Sequence, residues 1–129
     1  MDIILYIILA VAGYFVFAQL YIRIIPFLKK GKKIKFIEGA PGNELSNDGR
    51  NLLYFYTKSC SACKSLTPVI DKLQKEFNNI HKIDLVKDME TAKAFGIMGV
   101  PALITIENRT IINYYLGYRS ESAIRKLLP

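Results

Sequence analysis

Hydrophobic residues occur in two different arrangements along this chain of 129 residues. The first is an unbroken apolar run over residues 3–22, in which Gln19 is the only strongly polar side chain. In a helix, about 20 residues at about 1.5 Å each span the roughly 30 Å hydrocarbon core of a bilayer. A buried core helix rarely runs this far without a polar face, and a signal peptide would start with basic residues rather than Asp2. The pattern predicts a retained transmembrane anchor over residues 1–28 that contacts lipid through residues 3–25.

The second arrangement consists of short apolar runs and helical spacings, separated by turns rich in Gly, Asn, Asp and Pro. Dense apolar and aromatic runs predict strands over residues 34–38, 51–57, 80–86, 102–108 and 110–117. Helices are predicted over residues 61–78, 88–96 and 120–129, with Ser59 or Ser61 capping the first and Ser120 the last. Strands that alternate with helices predict an α/β fold with a central mixed β-sheet flanked by helices. We expect this domain over residues 36–129, after a basic juxtamembrane linker over residues 29–35.

The net charge of +7 comes from the segment beside the apolar run. Six Lys and Arg residues lie between residues 23 and 35, whereas residues 36–129 have twelve basic and ten acidic residues. The domain therefore has no basic stripe of the kind that binds nucleic acid. Basic residues next to a span are attracted to anionic headgroups and favour the cytoplasmic side. We expect a single-pass membrane protein whose domain faces the cytoplasm; the opposite orientation stays open because folded domains can be exported despite their charges.

The only two cysteines, Cys60 and Cys63, follow a predicted strand directly, at the start of the next helix. Unpaired N–H groups and the dipole at a helix N-terminus favour an anion there, and Lys58 and Lys64 add positive charge. A thiolate is the nucleophile in disulfide exchange. We therefore expect Cys60 to attack a disulfide, and Cys63, one turn along the helix, to resolve the mixed disulfide. This chemistry needs no organic cofactor and no metal.

Two other uses of the cysteines stay open at this point. A Cys-x-x-Cys pair supplies two of the four ligands of a structural zinc site, but the chain has no second pair. His81, the only histidine, is expected to be a strand-end or surface residue rather than a ligand. A metal would then have to be shared between two chains. The remaining possibility is a pair of inert buried thiols.

Four features, together covering residues 34–128, resemble the thioredoxin superfamily. The first is the stretch "NLLYFYTKSCSACK", in which a strand leads into Cys-x-x-Cys at a helix start. The second is Pro68, at the place of the kinking proline in the family's helix, and the third is Lys82 in the strand "HKIDL". The fourth is "FGIMGVPALITIENRTIINYYLG", which is similar to the family's cis-proline segment and its β-hairpin. The matching positions of this fourth segment are Gly99, Val100, Pro101 and Gly117.

The resemblance implies a thioredoxin-like fold and a set of site residues. Cys60 is then the nucleophile and Cys63 the resolving cysteine. Pro101 is implied to be a cis proline that faces the pair, and Val100 to offer its backbone N–H and C=O to an extended substrate peptide, with Gly99 beside it. The implied partners are protein thiols or disulfides and a second redox protein.

The chain also departs from the family pattern Trp-Cys-Gly-Pro-Cys. Ser59 stands in place of the Trp, residues 61–62 are Ser-Ala, and Tyr54 stands where thioredoxins have a buried Asp. We expect Tyr54 to pack in the core. The sequence therefore predicts a membrane-anchored thiol–disulfide oxidoreductase that acts on proteins. Because of the departures, a non-catalytic thioredoxin-like binding or assembly module, anchored in a membrane or envelope, is the alternative.

Overall fold

The computed structural model describes residues 1–31 and 49–129, and it confirms the predicted α/β fold. The predicted strand over residues 34–38 and most of the basic linker lie outside the described residues. The other predicted elements are present, with ends that differ by a few residues. In chain order they are α1 (Asp2–Lys29), β1 (Arg50–Tyr56), α2 (Ser61–Gln74), β2 (Ile80–Asp84), α3 (Met89–Ala94), β3 (Ala102–Glu107), β4 (Thr110–Leu116) and α4 (Glu121–Arg125).

Helix α1 is long and apolar, and nearly all of the side chains described for it are exposed. The stretch Asp2–Ile25 has a mean hydropathy of 2.3, and none of its most apolar part is buried in the protein. This lack of burial distinguishes α1 from the core helix of a soluble protein, while its length and composition suit a membrane span or a signal sequence. Gly31 follows the helix with φ 81°, a left-handed conformation that ends helices, and its N–H donates to the carbonyl of Ile111 at 2.7 Å.

The described strands form one mixed sheet in the order β2-β1-β3-β4. Strand β1 pairs in parallel with β2 and antiparallel with β3, and β3 and β4 form an antiparallel hairpin. Residues 52–55 of β1 have no exposed surface, because both faces of this inner strand are covered. On one face, Leu52 and Tyr54 pack with α2 and α4; on the other, Leu53 and Phe55 pack with Phe95 at the end of α3.

The start of α2 differs from the prediction. The N-cap is Cys60 itself, not Ser59 or Ser61: its backbone is extended (φ −77°, ψ 117°), and its sulfur accepts the N–H of Cys63 at 3.2 Å. Ser61 is already the first helical residue, and the Ser59 hydroxyl lies 3.4 Å from that of Thr57. The N-cap is the residue at which the backbone bends into the helix. The Cys60 sulfur therefore caps α2, although the hydroxyls of Ser59 and Ser61 are better hydrogen-bond acceptors.

The remaining differences concern helix ends. Pro68 lies inside α2 as predicted, but the helix ends at Gln74 rather than residue 78. The N–H groups of Glu76 and Phe77 both donate to the Leu73 carbonyl, which tightens the chain into a turn after α2. The cap of α4 matches the prediction, since the Ser120 hydroxyl accepts the N–H of Ala123 at 3.4 Å.

An ion-pair group joins α4 to the end of α2. The Arg125 guanidinium donates to both carboxylate oxygens of Glu76, at 2.7 and 2.9 Å, and also to Glu121. Lys72 donates to both oxygens of Glu121 at 3.1 Å. Hydrogen bonds from Arg125 lower the pKa of Glu76, and hydrogen bonds from Lys72 and Arg125 lower the pKa of Glu121. Ile124 of the same helix is fully buried in the core. The ion pairs therefore help to hold α4 in the position that buries Ile124.

The lowered pKa values predict how the stability of the domain depends on acid. A carboxylate with a lowered folded pKa stabilises the fold above its ordinary pKa of about 4.3, and this stabilisation is lost as the pH falls through the folded pKa. We expect Arg125→Gln to lower the free energy of unfolding at pH 7, by an amount that shrinks steadily as the pH falls below about 4.3.

Urea unfolding of the whole chain in detergent micelles, followed by circular dichroism between pH 7 and pH 2.5, measures this difference. Lys126→Gln is the matched control, because it removes the same charge from an exposed neighbour of Arg125. A difference between wild type and Arg125→Gln that stays constant over this pH range would contradict the role given to the two carboxylates.

Candidate active site

The two cysteines lie at the junction between the inner strand and α2. After Tyr56, the last residue of β1, a short turn brings Cys60 to the N-cap position of α2, and Cys63 follows one helical turn later. Both are free thiols, and they differ in exposure: Cys60 is half-buried, while Cys63 is only 1% exposed. The junction therefore offers one sulfur that a substrate can approach and a second sulfur behind it.

The fold brings Cys60 against the segment that was predicted to bind substrate. The Cys60 thiol donates to the carbonyl oxygen of Val100 at 3.8 Å, across forty residues of sequence. The bond between Val100 and Pro101 is cis, as the resemblance implies. Gly99 is exposed beside them. The structure thus places Cys60, Cys63 and the predicted residues 99–101 at one site; their part in substrate binding stays a prediction.

The loop after β4 supports this segment from behind. The N–H of Gly117 donates to the carbonyl oxygen of Pro101 at 2.8 Å. Gly117 has φ 87°, in the left-handed region where a side chain is disfavoured, so glycine suits the position. Pro101 itself is buried and directly precedes β3. The segment before Pro101 is therefore fixed by the sheet on one side and faces Cys60 on the other.

Tyr54 contributes a polar group to the site that sequence reasoning did not predict. Its ring is fully buried, as expected, but its hydroxyl reaches α2 and donates to the Cys63 carbonyl oxygen at 3.2 Å. The same hydroxyl lies 3.0 Å from Oγ1 of Thr67, which itself donates to the Cys63 carbonyl at 2.8 Å. A tyrosine in an otherwise apolar inner strand is the sequence signal for such a contact, because a buried phenol hydroxyl needs a partner.

Burial controls the protonation of the groups behind Cys60. It raises the pKa of Tyr54 to about 12, so the phenol is neutral at physiological pH. Burial also raises the pKa of the Cys63 thiol, and a hydrogen bond with Cys60 raises it further. Hydrogen bonds from the Thr57 backbone and the Tyr54 hydroxyl lower the pKa of the Cys63 thiol, but they do not outweigh the burial. At neutral pH the buried sulfur is therefore a protonated thiol.

A charged pair lies beyond the ring of Tyr56, which stacks on Tyr54. Lys82, the lysine of the family resemblance, donates to the carboxylate of Asp71 on α2 at 2.7 Å. Its ammonium group is also 5.5 Å from the ring centroid of Tyr56, which stacks on Tyr54 with the ring centroids 5.4 Å apart. The acidic partner of Lys82 is thus Asp71 on α2. Position 54, where thioredoxins have an Asp, supplies a tyrosine instead.

The described part of the chain offers no set of side chains that could complete a metal site with Cys60 and Cys63. Among those residues, no group of three or more His, Cys, Asp and Glu side chains could hold a metal ion. His81 is a half-buried residue of β2, and its Nε2 lies 3.3 Å from the Oδ1 atom of Asn51. The histidine is the second residue of β2 and contacts a residue of β1.

Comparisons with known proteins agree with the fold. The family model for thioredoxin matches residues 42–129. Thioredoxin of Bacillus subtilis is 28% identical over 86 residues, which are 64% of this chain and 83% of that protein. Thioredoxin 2 of Plasmodium berghei is 38% identical over 84 residues, which are 60% of this chain and 54% of that protein.

Among solved structures, a point mutant of the thioredoxin from Halobacterium salinarum NRC-1 has a similar fold. Its TM-score is 0.64 at 24% identity, over 78% of this chain and 88% of that one. The predicted superfamily and the thioredoxin-like fold are therefore confirmed. With its matched domain and its Cys-x-x-Cys pair, the chain belongs to the thioredoxin family, a family of thiol–disulfide oxidoreductases.

Proposed function

We propose that this protein is a membrane-anchored thiol–disulfide oxidoreductase that acts on protein disulfides or dithiols through Cys60 and Cys63. The observation that carries the proposal is the position of the Cys60 sulfur. It is partly accessible at the N-terminus of α2, 3.2 Å from the backbone N–H of Cys63 and 3.8 Å from the Val100 carbonyl. The same N–H can donate to the sulfur when it carries negative charge, which is the form that attacks disulfides.

In the reductive direction, the exchange takes two steps. The Cys60 thiolate attacks one sulfur of the substrate disulfide; a new S–S bond forms, the substrate S–S bond breaks, and the departing substrate sulfur takes a proton. Cys63 then attacks the Cys60 sulfur, which closes the disulfide between Cys60 and Cys63 and releases the second substrate thiol. Two electrons pass from the cysteine pair to the substrate, and a second redox protein must return them. The reverse sequence oxidises a substrate dithiol.

The segment of residues 99–101 is proposed to hold the substrate chain beside Cys60. The carbonyl of Val100 accepts the Cys60 S–H, so it loses this donor once Cys60 has become a thiolate. It is then free to accept a backbone N–H from an extended peptide, as in strand addition. Gly99, exposed and without a side chain, leaves room for the approach of that peptide.

Helix α1 is proposed to anchor the domain in a membrane. Its apolar side chains are exposed to the surroundings of the protein, and residues 3–25 are long enough to cross the hydrocarbon core. The lysines and Arg23 on its C-terminal side favour a cytoplasmic position for the domain. The attraction of these residues to anionic headgroups would hold the domain close to the lipid surface.

Substitution of the attacking cysteine tests the enzymatic part. We expect Cys60→Ser to reduce the rate of insulin disulfide reduction by the whole chain in detergent to the uncatalysed background. Serine keeps an N-cap acceptor for α2 but not the thiolate, so the fold should persist. Ser61→Ala, one position along, is the matched control and should retain activity. If the wild-type chain were also inactive, the binding or assembly module would become the better description.

Substitution of the second cysteine tests the order of the two steps. Cys63→Ser leaves Cys60 able to attack but removes the thiol that releases the substrate. We therefore expect mixed disulfides between Cys60 and protein substrates to accumulate, visible as reductant-sensitive bands in gel electrophoresis. Equal trapping by Cys60→Ser would show that Cys63 is the attacking residue instead.

The anchor and its orientation are tested with an impermeant maleimide on sealed membrane vesicles. We expect Cys60 to be labelled in inside-out vesicles and protected in right-side-out vesicles, with the Cys60→Ser variant as the unlabelled control. Carbonate washing should leave the protein in the membrane. Labelling from the outer side would reverse the orientation, and release by carbonate would overturn the anchor.

A further inference from the structure

The buried hydroxyl of Tyr54 belongs to a small polar cluster around Cys63, the second cysteine. Tyr54 and Thr67 both contact the Cys63 carbonyl, at 3.2 and 2.8 Å, and their hydroxyl oxygens are 3.0 Å apart. Tyr54 has no exposed surface, and the surrounding side chains of β1 and α2 are apolar. A polar cluster at such a place has an energetic cost unless each donor and acceptor is paired.

The cluster has two hydroxyl protons, and the Cys63 carbonyl needs only one of them. Thr67 has one hydroxyl proton, and at 2.8 Å it goes to the Cys63 carbonyl, a bond back to the residue four positions earlier in the helix. The carbonyl is then satisfied without Tyr54. The Tyr54 proton points to that carbonyl or to the Thr67 oxygen. The Cys63 sulfur belongs to the same residue as the carbonyl and is the third acceptor toward which the proton can turn, and the Tyr54 hydroxyl lowers the pKa of that thiol. Rotation about one C–O bond is enough to change between these acceptors.

The second step of exchange creates a negative charge at the Cys63 sulfur. The Cys63 thiol must lose its proton before it attacks Cys60, and burial makes this loss unfavourable. Tyr54 cannot accept that proton, because with a pKa of about 12 the phenol is a donor at physiological pH. What a neutral phenol can do is donate a hydrogen bond to the thiolate, and bonds to charged partners are the stronger ones.

We propose that Tyr54 is a positioning residue for the second step: its hydroxyl turns to the Cys63 sulfur and stabilises the thiolate while that thiolate attacks Cys60. The proton of Cys63 leaves to water or to the departing substrate sulfur. The bond between Cys60 and the substrate breaks as the bond between Cys60 and Cys63 forms. This proposal rests on the proposed exchange function. It gives the exchange a neutral hydrogen-bond donor, Tyr54, at the position where thioredoxins have a buried Asp.

The other groups around Cys63 do not supply this donor. Cys60 faces it from the start of the same helix and raises its pKa, and the Thr57 backbone, which lowers it, is fixed in the turn after β1. From the neighbouring elements, Lys82 on β2 and Asp71 on α2 are paired with each other and separated from the cluster by the ring of Tyr56. Of the two hydroxyls that contact Cys63, that of Thr67 already donates to the carbonyl, so Tyr54 holds the rotatable proton that can turn toward the sulfur.

The experiment follows the reaction of the whole chain, in detergent, with Ellman's reagent by stopped-flow absorbance. Attack by Cys60 releases the first thionitrobenzoate, and attack by Cys63 on the resulting mixed disulfide releases the second, so the two steps give two phases without any protein substrate. Tyr54→Phe removes only the hydroxyl and keeps the buried ring. The matched control is Tyr56→Phe, because Tyr56 lies on the same strand and stacks on Tyr54.

We expect Tyr54→Phe to leave the first phase unchanged and to slow the second about 10-fold at neutral pH, the effect of losing about one charged hydrogen bond. The pH profile of the second phase should move up by about one unit, since removal of a donor to the thiolate raises the pKa of Cys63. At high pH, where Cys63 is already a thiolate, the rates should converge. Tyr56→Phe should change neither phase.

Two results would overturn the proposal. One is a second phase in Tyr54→Phe that equals the wild-type phase at every pH. The other is slowing by the same factor at every pH, which would mean that the hydroxyl only holds the helix in place. As an independent measurement, the titration of Cys63 in Cys60→Ser, followed by NMR of its labelled side chain, should move upward when Tyr54→Phe is added. Because both readouts are independent of protein substrates, inactivity toward insulin would count against the proposed function and not against the role of Tyr54.

Discussion

One hydrogen bond links the folding of this domain to its chemistry: the N–H of Cys63 donates to the sulfur of Cys60. A helix begins where an acceptor side chain satisfies its first N–H groups, and here that acceptor is the sulfur that we propose attacks disulfides. The extended backbone of Cys60 that the cap requires also aims its sulfur at the Val100 carbonyl. The accessible thiol, the start of α2 and the segment before Pro101 are therefore set together. A serine at this position would preserve the start of the helix and remove the thiol on which the proposed exchange depends.

The packing of β1 explains why the second thiol differs from the first. The inner strand is buried on both faces, and α2 lies over the face that carries Leu52 and Tyr54. This packing buries Cys63 and places it against the hydroxyl of a core residue. An acid such as Asp in this position would be charged or would accept a proton, whereas a phenol stays neutral and donates. On the role proposed for Tyr54, the departure from the family pattern at position 54 replaces a carboxylate with a neutral hydrogen-bond donor beside the buried thiol.

Helix α1 and the domain differ in the polarity and the charge of their surfaces. Helix α1 exposes apolar side chains along its length and is followed by most of the excess positive charge. The domain has nearly balanced charges, and the ion pairs of Arg125 with Glu76 and Glu121 connect its last helix to the chain at the end of α2. An anchor and a redox domain on one chain would limit the reaction to substrates near the membrane surface.

Local patterns were sufficient for much of this protein. Apolar spacing predicted the described strands and helices, and the order of motifs around the Cys60–Cys63 pair and Pro101 predicted the family, because these signals lie in short stretches of sequence. The end of α2 and its cap at Cys60 were missed, since several residues near a helix terminus can serve and the bend of the backbone selects one. The contact of Cys60 with Val100, the unequal burial of the two thiols and the reach of the Tyr54 hydroxyl to α2 join residues that are distant in sequence or lie on different elements. They exist only after β1, β3 and α2 have packed, because distances between elements are fixed by the whole core and not by any single segment.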